Sequence, residues 1–132
     1  MGLVRMLLLA VAIEATAVLL LVLLVAALGP ADPAAAPAFA ERLGYWFGPL
    51  AGFVLCLGGG WFVARRLAEG HVLRGLVLGA MVASIDIAIL IASGAMFQPM
   101  LVFSNLGRLA AGSLGGFVAR TVREHPRRSS AA

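Results

Sequence analysis

The chain has no lysine; all ten of its basic residues are arginine. With its many alanines, glycines and leucines, that bias points to a high-GC bacterial source. There is one cysteine, Cys56, inside an apolar segment. This excludes an intrachain disulfide and a thiolate metal cluster, and Cys56 reads as a small packing residue. Charge is also scarce, at 12% of residues against 62% hydrophobic. A soluble domain carries about 25% charged residues. A water-soluble fold of 132 residues has too little interior to hide this much apolar surface. A bilayer removes that problem by solvating the apolar exterior.

Four apolar stretches are present. A hydrocarbon core about 30 Å thick is crossed by roughly 20 helical residues, and the spans are read as about 6–28, 45–64, 72–94 and 101–120. The fold expected is all-α: a polytopic bundle of four transmembrane helices in one domain, 1–120, followed by a basic cytoplasmic tail, 121–132. The first stretch begins like a cleavable leader, with Arg5 ahead of it and small residues at Val25-Ala26-Ala27. It is longer than a leader's apolar core and contains Glu14, so a retained helix is expected. The breaks fall at residues that end helices. Gly29-Pro30-Ala31-Asp32-Pro33, with Pro37 beyond, opens the longest loop, in which 38–43 is expected to form a short surface helix. Arg65 to His71 is a polar turn, and Met96-Phe97-Gln98-Pro99 is another, with Pro99 suited to a first helical turn.

Charge sets the expected orientation. Arg5, Arg65, Arg66, Arg74, Arg120, Arg123, Arg127 and Arg128 fall on one side and only Arg42 on the other. The positive-inside rule puts the first group, and both termini, in the cytoplasm of a bacterial inner (plasma) membrane. Tyr45, Trp46 and Phe47 then mark one interface and Trp61 and Phe62 the other. The tail is expected to be disordered or lipid-associated, with Arg127 and Arg128 near anionic headgroups. The net charge of +4 does not indicate nucleic acid, because the arginines sit at helix ends instead of forming a stripe.

Lipid tails are as apolar as leucine, so helices associate through close packing at small residues. Gly44, Gly48, Gly52, Cys56, Gly60 and Ala64 form a ridge with four-residue spacing on the second helix. Gly107, Ala111, Gly115 and Ala119 do so on the fourth, and Ala80, Ser84, Ala88 and Ala92 on the third. These predict tight association, within the chain or between copies. Leu19 to Leu24 is bulky all round and is expected to face lipid. Gly60-Trp61-Phe62-Val63-Ala64-Arg65 matches Gly115-Gly116-Phe117-Val118-Ala119-Arg120, Gly52 matches Gly107 at the same offset, and Glu14 corresponds to Asp86. That pattern suggests a tandem repeat of two-helix hairpins related by an axis along the membrane normal.

Three ionisable residues, Glu14, Asp86 and Arg108, fall within the spans. A charge at a helix centre costs about 2.5–3.5 kcal/mol on insertion scales, so each needs a partner. At 1.5 Å per residue, Asp86 and Arg108 lie about 10–12 Å below the same end of two neighbouring helices. An Asp86–Arg108 ion pair is expected, with Asn105 one turn away to add a hydrogen bond. Glu14 lies within arginine's reach. Two acids exceed one guanidinium, and burial favours the neutral acid, so Glu14 is expected to be protonated or to bind a cation. The cluster fits a clamp that fixes helix register, or a proton- or cation-coupled site.

No metal-ligand spacing and no nucleophile–base pair is present. Ser93, Ser104 and Ser113 have no histidine within reach, since His71 and His125 lie at the helix ends. Ala12-Ile13-Glu14 followed by Thr16, in a chain of this length with four spans, resembles the small multidrug resistance exporters. That resemblance implies proton exchange for cationic drugs at Glu14. The chain departs from the family's pattern. Its third span has no tryptophan, Asp86 and Arg108 have no counterpart there, its first outer loop is longer, and its arginine bias is firm.

The reading is a small integral membrane protein with a packing, assembly or accessory-subunit role. The alternative is a minimal oligomeric transporter or channel using Glu14, Asp86 and Arg108. No enzymatic activity, catalytic residue, cofactor or metal is expected. Partners are the lipid bilayer and either further copies or a larger membrane complex, not nucleic acid.

Overall fold

The computed structural model describes residues 2–94 and 98–129, with side chains of the last helix described to 122. It is all-helical among these residues: α1 spans Leu3–Leu28, α2 Ala36–Ala64, α3 His71–Ser93 and α4 Pro99–Ser129. Each helix is long and apolar enough to cross a membrane. The connectivity is up-down-up-down. One end carries both ends of the chain and the α2–α3 turn, and we call it the arginine-rich end. The other carries the α1–α2 and α3–α4 connections.

Two boundaries differ from the sequence reading. The expected surface helix over 38–43 is the unbroken start of α2. Pro37 falls in the first turn, where its missing N–H has no helical acceptor to lose, and no breaker follows before Gly44. The expected start of the tail at 121 is still helix, and α4 runs to Ser129. Extending a formed helix adds one hydrogen bond per residue, without a new nucleus. The residues Met96 and Phe97 of the expected second turn, and the side chains of Arg123, His125, Arg127 and Arg128, lie outside the described residues. Glycine makes both sharp corners: Gly70 (φ 71°) opens α3 and Gly94 (φ 65°) closes it.

α4 packs most extensively on α2 and α3. The reason is glycine at the crossing points. A Cβ on Gly112 would strike the Gly75 carbonyl of α3. A Cβ on either Gly60 of α2 or Gly75 would strike the Gly112 carbonyl. Gly112 is thus wedged between two helices at backbone contact, with Gly79 and Gly116 extending the α3 contact. α3 does not use the expected row from Ala80, since Ser84, Ala88 and Ala92 are exposed. Its buried face is His71, Gly75, Leu78, Gly79, Val82 and Ala83. Glycine permits a closer approach than alanine, so Gly75 and Gly79 set the rotation of the helix.

The α2–α4 contacts are reciprocal. Gly60 abuts Gly112 while Gly115 abuts Leu57, and Gly52 abuts Arg108 while Gly107 abuts Phe53. Each pair maps onto its partner by the offset that relates Gly60 to Gly115. The hairpins themselves differ. Under the same offset Gly112 and Gly116 match Leu57 and Trp61, and with Glu14 aligned to Asp86 the residues matching Gly75 and Gly79 are Leu3 and Leu7. α1 meets α2 through side chains, Ile13 lying 2.7 Å from where a Cβ on Gly59 would sit, whereas α3 and α4 meet backbone to backbone at their glycines. Beyond Ala17, α1 buries no residue fully; Leu21, Leu24 and Val25 are half-buried and the remainder of Val18 to Leu28 is exposed.

Cys56 is fully buried beside Met6, Ala10, Val63 and Leu78 in the core. We expect Cys56 in the folded protein to resist a membrane-permeant maleimide, and to label once the bundle is unfolded in strong detergent. Equal labelling rates in the two states would contradict this packing.

Candidate intramembrane ion cluster

Arg108 is 3% exposed and sits on the face of α4 that meets α2. Gly52 supplies the room: a Cβ there would lie 2.7 Å from Arg108 Nε. The sequence reading assigns Gly52 to a helix-packing ridge. Its observed role is a slot for the guanidinium, a function that spacing alone does not reveal.

From this slot the guanidinium reaches two other helices. Nη1 lies 2.5 Å from Asp86 Oδ2 on α3, and Nη2 lies 3.0 Å from Glu14 Oε1 on α1. Nη1 also donates to Asn105 Oδ1 at 3.3 Å, one turn back on α4. Asn105 Nδ2 is fixed in turn by donating to the Leu101 carbonyl at 2.9 Å. The structure therefore brings Glu14, Asp86, Asn105 and Arg108 together around one cation. Among the described residues α1 and α4 make no close backbone contact, and the Glu14–Arg108 bridge joins them directly.

The cluster is not saturated. Glu14 Oε2 and Arg108 Nε are buried without a hydrogen-bond partner among the described residues. The two acids also see different surroundings. The Asp86 side chain is 22% exposed against 6% for Glu14. Asp86 and Arg108 line a cavity of about 160 Å³ that runs toward the connection end past Ser104, Pro49, Tyr45 and Gln98. That volume holds several waters. Pro49 lies within α2 and has no N–H for the Tyr45 carbonyl, which therefore lacks its helical donor beside the cavity. Glu14 lies at the base of a separate apolar groove between α1 and α3, lined by Val11, Val18, Ile85 and Ile89. Tyr45, Pro49, Gln98 and Ser104 are site residues that the sequence reading missed. Only Pro49, a proline inside a span, carried a signal.

The predicted ridge residues are divided. Gly60 and Gly115 meet the backbone of the facing helix, and Gly107 lies 3.8 Å from Phe53. Gly44 approaches only Leu21, and a Cβ on Gly48 would meet nothing within 4 Å. The ridge is tight toward the arginine-rich end and open where the cavity enters.

No other chemistry gathers here. The Ser93 and Ser113 hydroxyls donate to carbonyls of their own helices. Among the described residues, no group of three or more His, Cys, Asp or Glu side chains is placed to hold a metal ion. At the arginine-rich end Arg65 stacks on Trp61 and Phe62, 5.1 and 4.5 Å from their ring centres. No protein-family model, curated protein or solved structure matches the chain. The resemblance to small multidrug resistance exporters thus rests on chain length, four spans and the residues around Glu14.

Proposed function

We propose that this chain is a small, non-catalytic protein of a bacterial inner membrane, with both termini in the cytoplasm and a packing, assembly or accessory-subunit role. One observation carries the reading: the three charged side chains deepest within the spans, Glu14, Asp86 and Arg108, are engaged with one another in a single cluster that joins α1, α3 and α4. A register clamp of this kind uses its charges on itself. Arginine and aromatic residues at the helix ends support the orientation, and the lipid-exposed apolar faces offer area for a second copy or a partner helix.

A second reading draws on the unsaturated Glu14 Oε2 and on the cavity reaching Asp86. These favour a minimal proton- or cation-coupled transporter or channel acting as an oligomer. Glu14→Gln and Asp86→Asn separate the two. The clamp reading expects each variant to lose about 1.5–3 kcal/mol of stability in detergent, the range for a hydrogen bond to a charged group. It also expects no ion flux from the parent in liposomes. Flux in the parent that either variant abolishes at unchanged stability would overturn the clamp and favour transport.

A further inference from the structure

The hydroxyls within the spans follow one habit. Thr16, Ser84, Ser93, Ser113 and Thr121 each donate to a carbonyl of their own helix, which satisfies a hydroxyl where water is absent. Ser104 is the exception. It is 8% exposed and lines the cavity beside the ion cluster, and its hydroxyl makes no hydrogen bond with any described residue. Unlike Glu14 Oε2, that hydroxyl is not sealed from solvent. Ser104 also borders an apolar groove on the lipid side, where a hydroxyl would fold back onto its helix as the others do. Two further groups on the same cavity want a partner. Pro49 leaves the Tyr45 carbonyl without its helical donor. The Asp86 side chain is 22% exposed although it lies about 10 Å from the end of α3. A carboxylate is expensive against lipid, and water removes that cost. At the mouth, Tyr45 and Gln98 are exposed. Toward the arginine-rich end the packing closes. Cys56, Leu78, Val82 and Ala111 are fully buried beyond the cluster, and after them Gly60, Gly75 and Gly112 meet at backbone contact.

We propose that this cavity is a water-filled vestibule open to the connection-end compartment alone, with Asp86 as the point where protons from that compartment meet the ion cluster. Its ligand is a short chain of waters. They accept from the Ser104 hydroxyl and donate to the Tyr45 carbonyl and the Asp86 carboxylate, the polar partners that an ordered buried water needs. Asp86 faces Arg108 of α4, Glu14 of α1 shares that guanidinium, and Tyr45 of α2 lines the same cavity. A proton arriving at Asp86 cancels its charge and leaves Arg108 paired with Glu14 alone. Glu14 Oε2 is sealed from this route. Such a vestibule ends blind at the cluster, so it goes beyond the clamp reading without requiring transport.

The experiment labels the full-length chain in sealed membrane vesicles of each orientation, with Cys56→Ala removing the native thiol. The probe is MTSET, a permanently charged thiol reagent. Ala34→Cys and Glu69→Cys mark the two sides, whatever the topology. Gly48→Cys and Ser104→Cys, on the cavity wall, are expected to label in the vesicles that label Ala34→Cys and not in those that label Glu69→Cys. Phe103 is 71% exposed and lies at the depth of Ser104. Both cavity cysteines are expected to react about tenfold faster than Phe103→Cys, because a thiol facing lipid does not ionise. On the unaltered protein, water-edited solid-state NMR follows the transfer of water magnetisation to the carboxyl carbons. Transfer is expected to reach Asp86 before Glu14. Gly48→Leu, whose Cβ has open space, fills the vestibule and is expected to abolish that difference. Should the cysteine variants fail to fold, the comparison on the unaltered protein decides. Labelling of both cavity cysteines no faster than Phe103→Cys, labelling from the Glu69 side, or equal transfer to the two carboxyls would overturn the proposal.

Discussion

Replacing Arg108 by methionine is expected to lower the stability of the bundle by about 3–5 kcal/mol, the cost of breaking a buried ion pair from one side. The size of the effect comes from what stays behind. Glu14 and Asp86 both point at the vacated slot, one 6% and the other 22% exposed, and neither forms another ion pair among the described residues. The loss is also structural, because α1 has no backbone contact with α4 to replace the bridge. Thermal unfolding in a mild detergent measures it. A triple variant, with Glu14→Gln and Asp86→Asn added to Arg108→Met, is expected to recover much of the loss, since no unpaired charge remains buried. Strong coupling of this kind marks residues that act as one unit. A single variant as stable as the parent, or a triple variant worse than the single, would show that the cluster holds nothing together.

The second large effect is expected at Gly112. A side chain there meets the Gly75 carbonyl, and the Gly60 backbone lies against the same residue from the other side. Rigid backbone cannot yield as a flexible side chain would. Gly112→Ala is expected to cost about 1–3 kcal/mol through overpacking, and Gly112→Leu to prevent the compact bundle from forming. Gly58→Ala is the matched control: its Cβ would meet nothing within 4 Å. Removing backbone freedom there is expected to leave stability unchanged or to raise it by up to about 1 kcal/mol. Unfolding midpoints of the three variants, with cross-linking to follow helix spacing, check the contrast. A Gly112→Ala variant as stable as Gly58→Ala would contradict the close approach of α4 to α2 and α3.

These contacts show which features the sequence makes legible. Number and type of helices follow from apolar length, a property that needs no partner to interpret. The meeting of Asp86, Arg108 and Asn105 also follows, because a short connection makes two helices neighbours and depth is linear in residue number. The rotation of α3 was less legible. Rows of small residues run along several faces of an alanine- and glycine-rich helix, and only the partner's backbone selects among them. The row from Ala80 looked regular, yet Gly75 and Gly79 won because α4 offers bare backbone at Gly112 and Gly116. The role of Gly52 was hidden for a related reason: its meaning lies in an arginine on another helix. The start of α2 at Ala36 is hidden in the sequence because Pro37 reads as a breaker, whereas it occupies the first helical turn.

The internal correspondence between hairpins likewise reads differently at its two levels. It runs through the α2–α4 interface residue by residue, from Gly52 and Arg108 to Gly107 and Phe53. It does not extend to the packing of α1 and α3, where leucines and a tryptophan replace glycines. This asymmetry leaves Glu14 on a loosely held helix and Asp86 on a tightly held one, with the cation between them.

One distance measurement tests the three-helix ion cluster most directly. Solid-state NMR dipolar recoupling, on the protein in lipid bilayers, reads the proximity of the Arg108 guanidinium nitrogens to the Glu14 and Asp86 carboxyl carbons. Both carbons are expected to dephase at direct ion-pair contact in the same sample. Dephasing of only one carboxyl, or of neither, would contradict a single cation that joins three helices.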